Sequence, residues 1–213
     1  MKIDKFIINR KTIKRYKGKI FKSEEEAALS FGFYANPLTD ADSRERGAVI
    51  KRIKVNAFNE TTNRRKRIDL YTYGKVFTGG HNHVVFGAVT GYIASWIHAR
   101  RISIIHTHPN CSGHKPEIFS KGDELVGKLY GVNYMYLASP FGNLFRYDGK
   151  EKKRNKNNEL VLKPIDSSLP KSKNKCDCRS CALPHKLSKI DAKKILKNNA
   201  DSLKVYTADK SNI

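Results

Sequence analysis

The sequence predicts a mixed α/β domain over residues 22–148, and three observations predict it. Apolar residues recur at helical spacing in some segments and as short β-branched runs in others. Hydrophobic residues make up 39% of the 213 and aromatics 10%, enough to build a core and to exclude a wholly disordered chain. Composition then shifts at Asp148 to a lysine-, asparagine- and proline-rich stretch, which sets a boundary.

Residues 1–21 read as a basic N-terminal arm carrying one strand around Phe6 to Ile8. Ser23 opens a helix, with Glu26 three residues on as a capping box. Ala27, Ala28, Phe31 and Ala35 follow at helical spacing until Asn36-Pro37, where a stop is expected. Gly47 to Val55 reads as a strand, Asn59 to Arg67 as a polar, basic loop, and Ile68 to Phe77 as a second strand. Gly79-Gly80 breaks the chain. Val89 to His98 fits a helix carrying Trp96, with His98 on its face, and Ile102 to Ile105 is the apolar run of a buried strand. Ser120 opens another helix that runs to Gly131; Val132 to Ala138 and Leu144 to Tyr147 are strands joined by a turn at 139–143. Residues 149–175 read as a basic linker, and 176–213 as a tail holding a cysteine cluster and a short helix from Ser188 to about Leu203.

Lys and Arg number 42 against 20 Asp and Glu, a formal charge of +22. Such an excess attracts polyanions, so nucleic acid is a candidate partner alongside a protein substrate. No apolar run reaches the roughly 18 residues of a membrane span. Met1 to Ile20 lacks the apolar core of a signal peptide, so the chain is expected in the cytoplasm at synthesis, with any export by a signal-peptide-independent route. Cys111 stands alone while Cys176, Cys178 and Cys181 bunch together, a pattern better suited to a reducing compartment than to two disulfides.

The most informative stretch is His106-Thr107-His108-Pro109, followed by Ser120-Lys121-Gly122-Asp123. Strand side chains alternate, so two histidines one residue apart at a strand end point the same way and reach one metal ion. Asp123, at the start of the next helix, supplies a third, anionic ligand. Three protein ligands with an open fourth position is the arrangement of a catalytic zinc site, whose water is acidic near neutral pH. Ser120 and Asp123 are equally a helix capping box, so each half of the pattern has a structural reading by itself.

These residues resemble the signature of the JAMM, or MPN-plus, zinc metalloproteases: an upstream Glu, then H-x-H-P, seven residues, and S-x-x-D. His106, Thr107, His108 and Pro109 match the first block, and Ser120 and Asp123 the second. The resemblance covers most of 22–148. An Ala-rich helix, an Asn-Pro and an E-x-G strand before the histidines make the pattern similar to JAMM-like domains of bacterial polymorphic toxins. It implies an α+β fold with a mixed, largely antiparallel sheet flanked by helices, and hydrolysis of peptide or isopeptide bonds. It implies that His106, His108 and Asp123 bind zinc, that an upstream glutamate is the base, and that Ser120 donates to the tetrahedral oxyanion. Glu45, just before a strand, is preferred for the base over Glu60 in a polar loop. An immunity-type partner protein is implied for a toxin. One departure stands out: ten residues, Asn110 to Phe119, occupy the spacer and bring Cys111 and His114 near the site.

Other readings stay open. The same activated water suits a metal-dependent nuclease, and a non-catalytic nucleic-acid-binding module is the reading outside enzymes. Arg64-Arg65-Lys66-Arg67 and Lys150 to Arg154 can track phosphates or simply be solvated. Cys176, Cys178, Cys181 and His185 form C-x-C-x2-C-x3-H, four ligands for a structural zinc. Gly80-His81-Asn82-His83 is too compact for an HNH nuclease, which spreads those residues over a hairpin and a helix.

Overall fold

A computed structural model describes residues 6–17, 19–80, 102–111, 115–130, 132–149, 151, 153–176 and 187–199. The elements are β1 (Phe6–Ile8), α1 (Arg10–Arg15), α2 (Glu24–Asp42), β2 (Arg46–Asn59), β3 (Arg64–Tyr73), β4 (Phe77–Thr78), β5 (Ile102–Thr107), α3 (Lys121–Tyr130), β6 (Tyr134–Ala138), β7 (Leu144–Asp148), β8 (Lys163–Asp166) and α4 (Lys189–Asn198). Eight strands among the described residues form one sheet, ordered β1-β2-β5-β6-β7-β8, with β3 and β4 paired to β2. Every pairing is antiparallel except β5 with β6, which are parallel and joined through α3. The fold is therefore mixed α/β with a largely antiparallel sheet. No helix among the described residues is long and apolar enough to cross a membrane.

β2 organises the molecule. Its first residues pair with β4 on one side and with β5 on the other, Gly47 lying opposite His106. Its remainder pairs with β3 from Ile50 to Asn59, and its last three residues also take β1. Side chains alternate along it. Ala48 and Ile50 enter a core with Phe31 and Ala35 of α2, Ile105 and Tyr136. Val49 faces the opposite core, built on Ile104, Phe119, Met135, Leu137 and Leu160. Farther on, Ile53, Val55 and Ala57 bury against Ile8, Ile20 and Leu70, with Ile13 of α1 and its C-cap Tyr16 packed alongside.

α2 begins as expected: the Ser23 hydroxyl accepts from the Glu26 amide at 3.0 Å, and Glu26 accepts from the Lys22 amide at 2.9 Å. It does not stop at Asn36-Pro37. The helix continues through Pro37 to Asp42 and closes on Ser43 in the left-handed region, φ 53°. Burial overrides the proline penalty here. Asn36 donates to the carbonyls of Ser139 and Pro170, and Leu38 and Thr39 are buried.

Two boundaries read from composition are corrected. The arm 1–21 is no appendage, because Ile8 and Ile20 are 2% and 1% exposed in the third core. Residues 149–175 are not a linker either. β8 extends the sheet as an edge strand on β7, and Leu160 and Leu169 are buried in two cores. Leu169 sits where a side chain on Gly32 of α2 would be, its methyls 2.7 and 2.8 Å from that Cβ position. Asp40 of α2 then accepts from the Ser172 hydroxyl and from the amides of Lys173 and Asn174. The segment is lysine- and asparagine-rich in composition, yet Leu160, Leu162, Ile165 and Leu169 all pack in the cores, and only Val161 of its aliphatic residues is exposed. The expected loop at 59–67 also shortens to a four-residue turn, because β2 and β3 extend toward each other across a continuous register.

Candidate metal centre

His106 is the penultimate residue of β5, and His108 follows just beyond the strand end. Alternation brings their rings together, Nε2 to Nε2 at 3.0 Å. Asp123, in the first turn of α3, places Oδ1 3.3 Å from His106 Nε2 and Oδ2 3.9 Å from His108 Nε2. Tetrahedral ligands about 2.0–2.1 Å from a zinc ion stand about 3.3 Å from one another. The three residues each offer one donor atom within 4.8 Å of the others, close enough to hold one metal ion.

Each donor is oriented from behind. His108 Nδ1 lies 3.1 Å from the Pro116 carbonyl, which only accepts, so Nδ1 carries the proton and Nε2 presents its lone pair. Asp123 Oδ2 accepts from both the hydroxyl and the amide of Ser120, at 2.7 and 2.8 Å, and its own amide donates back at 3.2 Å. His106 is 2% exposed and its ring lies 5.5 Å from that of buried Phe119.

The electrostatics agree with the geometry. Burial by itself lowers the His106 pKa, but the Asp123 carboxylate, with Glu45 adding to it, overrides this and raises it above the ordinary value. For Asp123, burial pushes the pKa up, yet His106, the Ser120 hydrogen bond and His108 hold it well below the usual carboxylate range. Both shifts favour a positive charge at the centre of the cluster. Two imidazoles and an ionised carboxylate could hold a metal ion.

Glu45 stands outside this trio, with Oε1 4.0 Å from His108 Nε2 and its side chain 8% exposed. Its backbone is pinned by paired hydrogen bonds with Gly79 and Gly80, each 2.9 Å. The next residue is held more firmly still. The Arg46 amide donates to Thr107 Oγ1 at 2.9 Å, tying the glutamate-bearing strand to the residue between the two histidines. Thr107 Oγ1 also meets Thr39 Oγ1 at 2.7 Å. The Arg46 guanidinium forks onto Asp42 at 2.8 and 2.6 Å, with both side chains buried, and reaches Thr39 and the Arg44 carbonyl. The Arg46–Asp42 pair fixes the end of α2, Thr107 fixes β5, and Glu45 lies between them.

Residues 115–119 of the long spacer after Pro109 are a built wall. Glu117 accepts from Ser139 Oγ and Asn143 Nδ2 at 2.9 and 2.7 Å, Lys115 pairs with Glu159, and Phe119 is buried. With α3 and residues 154–159 it encloses a cleft of about 1040 Å³ that opens onto Glu45 and His108. Three acidic side chains (Glu45, Glu124, Glu159) and three basic ones (Lys115, Lys121, Arg154) line it, beside Pro109, Pro116, Ile118, Phe119 and Leu125. On a chain of charge +22, the cleft is charge-balanced and largely apolar.

The structure brings together Glu45, His106, His108, Ser120 and Asp123, five residues expected from the sequence. Glu60, the alternative base, lies in the β2–β3 turn, at the far end of β2 from Glu45. The Ser120 hydroxyl donates to Asp123 Oδ2 and so orients that carboxylate. Cys111 is buried beside the cleft and bridges to Cys176 through backbone pairing. Cys176 is itself disulfide-bonded, which departs from the thiolate a structural zinc takes. Cys178, Cys181 and His185 lie outside the described residues, as do His81, His83, Trp96, His98 and His114. Thr107, Arg46, Asp42 and Pro116 were not expected at the site. The i, i+4 spacing of Asp42 and Arg46 and the polar residue inside H-x-H are signals for the first three; a backbone carbonyl leaves none.

Compared with family models, with curated proteins and with solved structures, the chain matches none.

Proposed function

We propose that this chain is a zinc-dependent hydrolase of the JAMM type that cleaves peptide or isopeptide bonds. The observation that carries the reading is the convergence of His106 Nε2, His108 Nε2 and an Asp123 carboxylate oxygen, with a second, buried carboxylate, that of Glu45, held just beyond them. His106, His108 and Asp123 would hold the zinc ion, which would supply a Lewis acid and an acidic bound water. Glu45 takes the proton of the attacking water and delivers it to the departing nitrogen, the role for which a rigidly mounted carboxylate is suited. Ser120 and the Pro116 carbonyl keep Asp123 and His108 oriented.

The balance of charge in the cleft supports a peptide over a phosphodiester as substrate. A nuclease cleft gains from cations that hold a polyphosphate chain, whereas here three basic groups face three acidic ones and two of the three are paired: Lys115 with Glu159, Arg154 with Glu124. Such a wall suits an uncharged backbone with apolar side chains. The test is a product screen with the zinc-loaded full chain on unfolded casein, on isopeptide-linked ubiquitin-like chains and on oligonucleotides. Peptide or isopeptide products from wild type, and none from Glu45→Gln at equal zinc content, are expected. Oligonucleotide cleavage lost in Glu45→Gln would instead assign the site to a nuclease.

A further inference from the structure

Among the described residues, exposed cations without an ion pair gather at the end of β2 away from Glu45. Glu45 precedes the first residue of β2, and the strand runs 14 residues to Asn59, on the order of 45 Å of extended chain. Over its second half, the even-numbered side chains of β2 are exposed. Lys54, Asn56 and Phe58 are exposed there, and register places Asp69, Arg67 and Arg65 directly opposite them on β3. On the other edge Ile7 of β1 stands beside Phe58, so Ile7, Phe58 and Arg65 form one row across three strands. Phe58 is 37% exposed, one of few large apolar side chains among the described residues that are. Asp69 is shared with Arg52 at 3.3 Å, while Lys54, Arg65 and Arg67 have no ion pair among the described residues. The opposite face of the same strands, Ile53, Val55 and Ala57 of β2 with Ile8 of β1 and Ile68 and Leu70 of β3, is the third core, so the platform is rigid from beneath.

We propose that this open face of β1–β2–β3 docks single-stranded nucleic acid without sequence preference, independently of the hydrolytic site. Two planar guanidinium groups and an ammonium group are placed to follow a phosphate backbone. An exposed aromatic ring set among them offers a stacking surface for a base, the pairing of groups that single-strand binders use. An acidic protein would satisfy the cations and leave the ring unused. Cations on an edge strand also guard against edge-to-edge association, and that reading makes a different prediction: neutralising them produces aggregates and leaves oligonucleotide affinity alone.

The experiment is fluorescence anisotropy with the full chain and a labelled 20-nucleotide oligothymidylate, beside a duplex of equal length and with polyglutamate as competitor. Arg65→Gln with Arg67→Gln, Phe58→Ala, and a control pair on exposed α4, Lys189→Gln with Lys193→Gln, are compared. Unchanged melting temperature and monomer elution establish that the variants fold. Wild type is expected to prefer the single strand over the duplex and over polyglutamate. The arginine pair should weaken binding at least tenfold and lower the salt slope of log K by about 1.4, two contacts at roughly 0.7 each for single strands. Phe58→Ala should weaken it about fivefold or more, and the α4 pair should change it less than twofold. The proposal is overturned if wild type does not bind, if duplex or polyglutamate binds as well as the single strand, if the α4 pair costs as much as the arginine pair, or if neutralisation only causes aggregation.

Discussion

The two ends of β2 use arginine in opposite ways. At the start, Arg46 is 5% exposed, forks onto Asp42 and holds its own amide on Thr107, so its charge is spent inside the protein on geometry. At the far end, Arg65 and Arg67 of the neighbouring strand are exposed and carry no ion pair among the described residues. The same side chain sets positions in one place and projects a field in the other. Net charge therefore says little about the cleft, which is balanced on a chain of +22. What matters is which cations are already committed.

Mutations should separate the ends sharply. The largest effect is expected on rate: Glu45→Gln should lower hydrolysis by about 10²–10⁴-fold with zinc content and melting temperature unchanged, read by a peptide-release assay. Arg46→Met comes next. Leaving Asp42 buried without its partner should cost about 3–5 kcal/mol in urea unfolding, whereas Arg65→Gln should stay within about 0.5 kcal/mol. Equal costs at the two positions would erase the distinction. Thr107→Val keeps the shape of the side chain but strands the buried Arg46 amide, for about 1–3 kcal/mol; Thr107→Ser, which restores the acceptor, should recover most of it.

Leu169→Ala tests whether the lysine-rich segment belongs to the domain. Its buried side chain lies against Gly32, so truncation should cost about 2–5 kcal/mol, a loss that a linker residue would not show.

The smallest effect is a pH dependence at the N-terminus of α2. Burial raises the Glu24 pKa, outweighing the Ser103 hydrogen bond at 2.9 Å and the attraction of Arg146 and Arg52. The folded state thus binds this proton more tightly than the unfolded chain does. The associated stability is present below the ordinary carboxylate pKa and is lost as pH rises through the raised folded value. Glu24→Gln should therefore melt higher than wild type at pH 7, and the difference should shrink as the pH falls below about 4. A difference that grows on acidification would reverse the assignment.

Much of the centre was legible because its signals are local. H-x-H at a strand end needs only the two-residue alternation, and the Ser23–Glu26 and Ser120–Asp123 boxes need only a three-residue spacing. The rest depended on burial, which composition averages away. Leu160, Ile165 and Leu169 are dispersed among lysines and asparagines, so a segment that completes two cores reads as solvated chain. Pro37 reads as a stop because its cost is local, while the compensation, Asn36 bonding to residues more than one hundred positions away, is not. The Pro116 carbonyl that fixes His108 leaves no trace in side-chain identity. Arg64 to Arg67 read as a loop for the same reason: four consecutive cations hide the register that places them on a strand.

The central claim is that one end of β2 serves a metal centre and the other does not. The most direct measurement is zinc per chain in the full-length protein, purified without chelator, for wild type, His108→Ala and the Arg65→Gln/Arg67→Gln pair. The account predicts that His108→Ala holds one zinc fewer than wild type and that the arginine pair holds the same number. A folded wild-type chain without zinc, or a His108→Ala chain that retains all of it, would contradict the account.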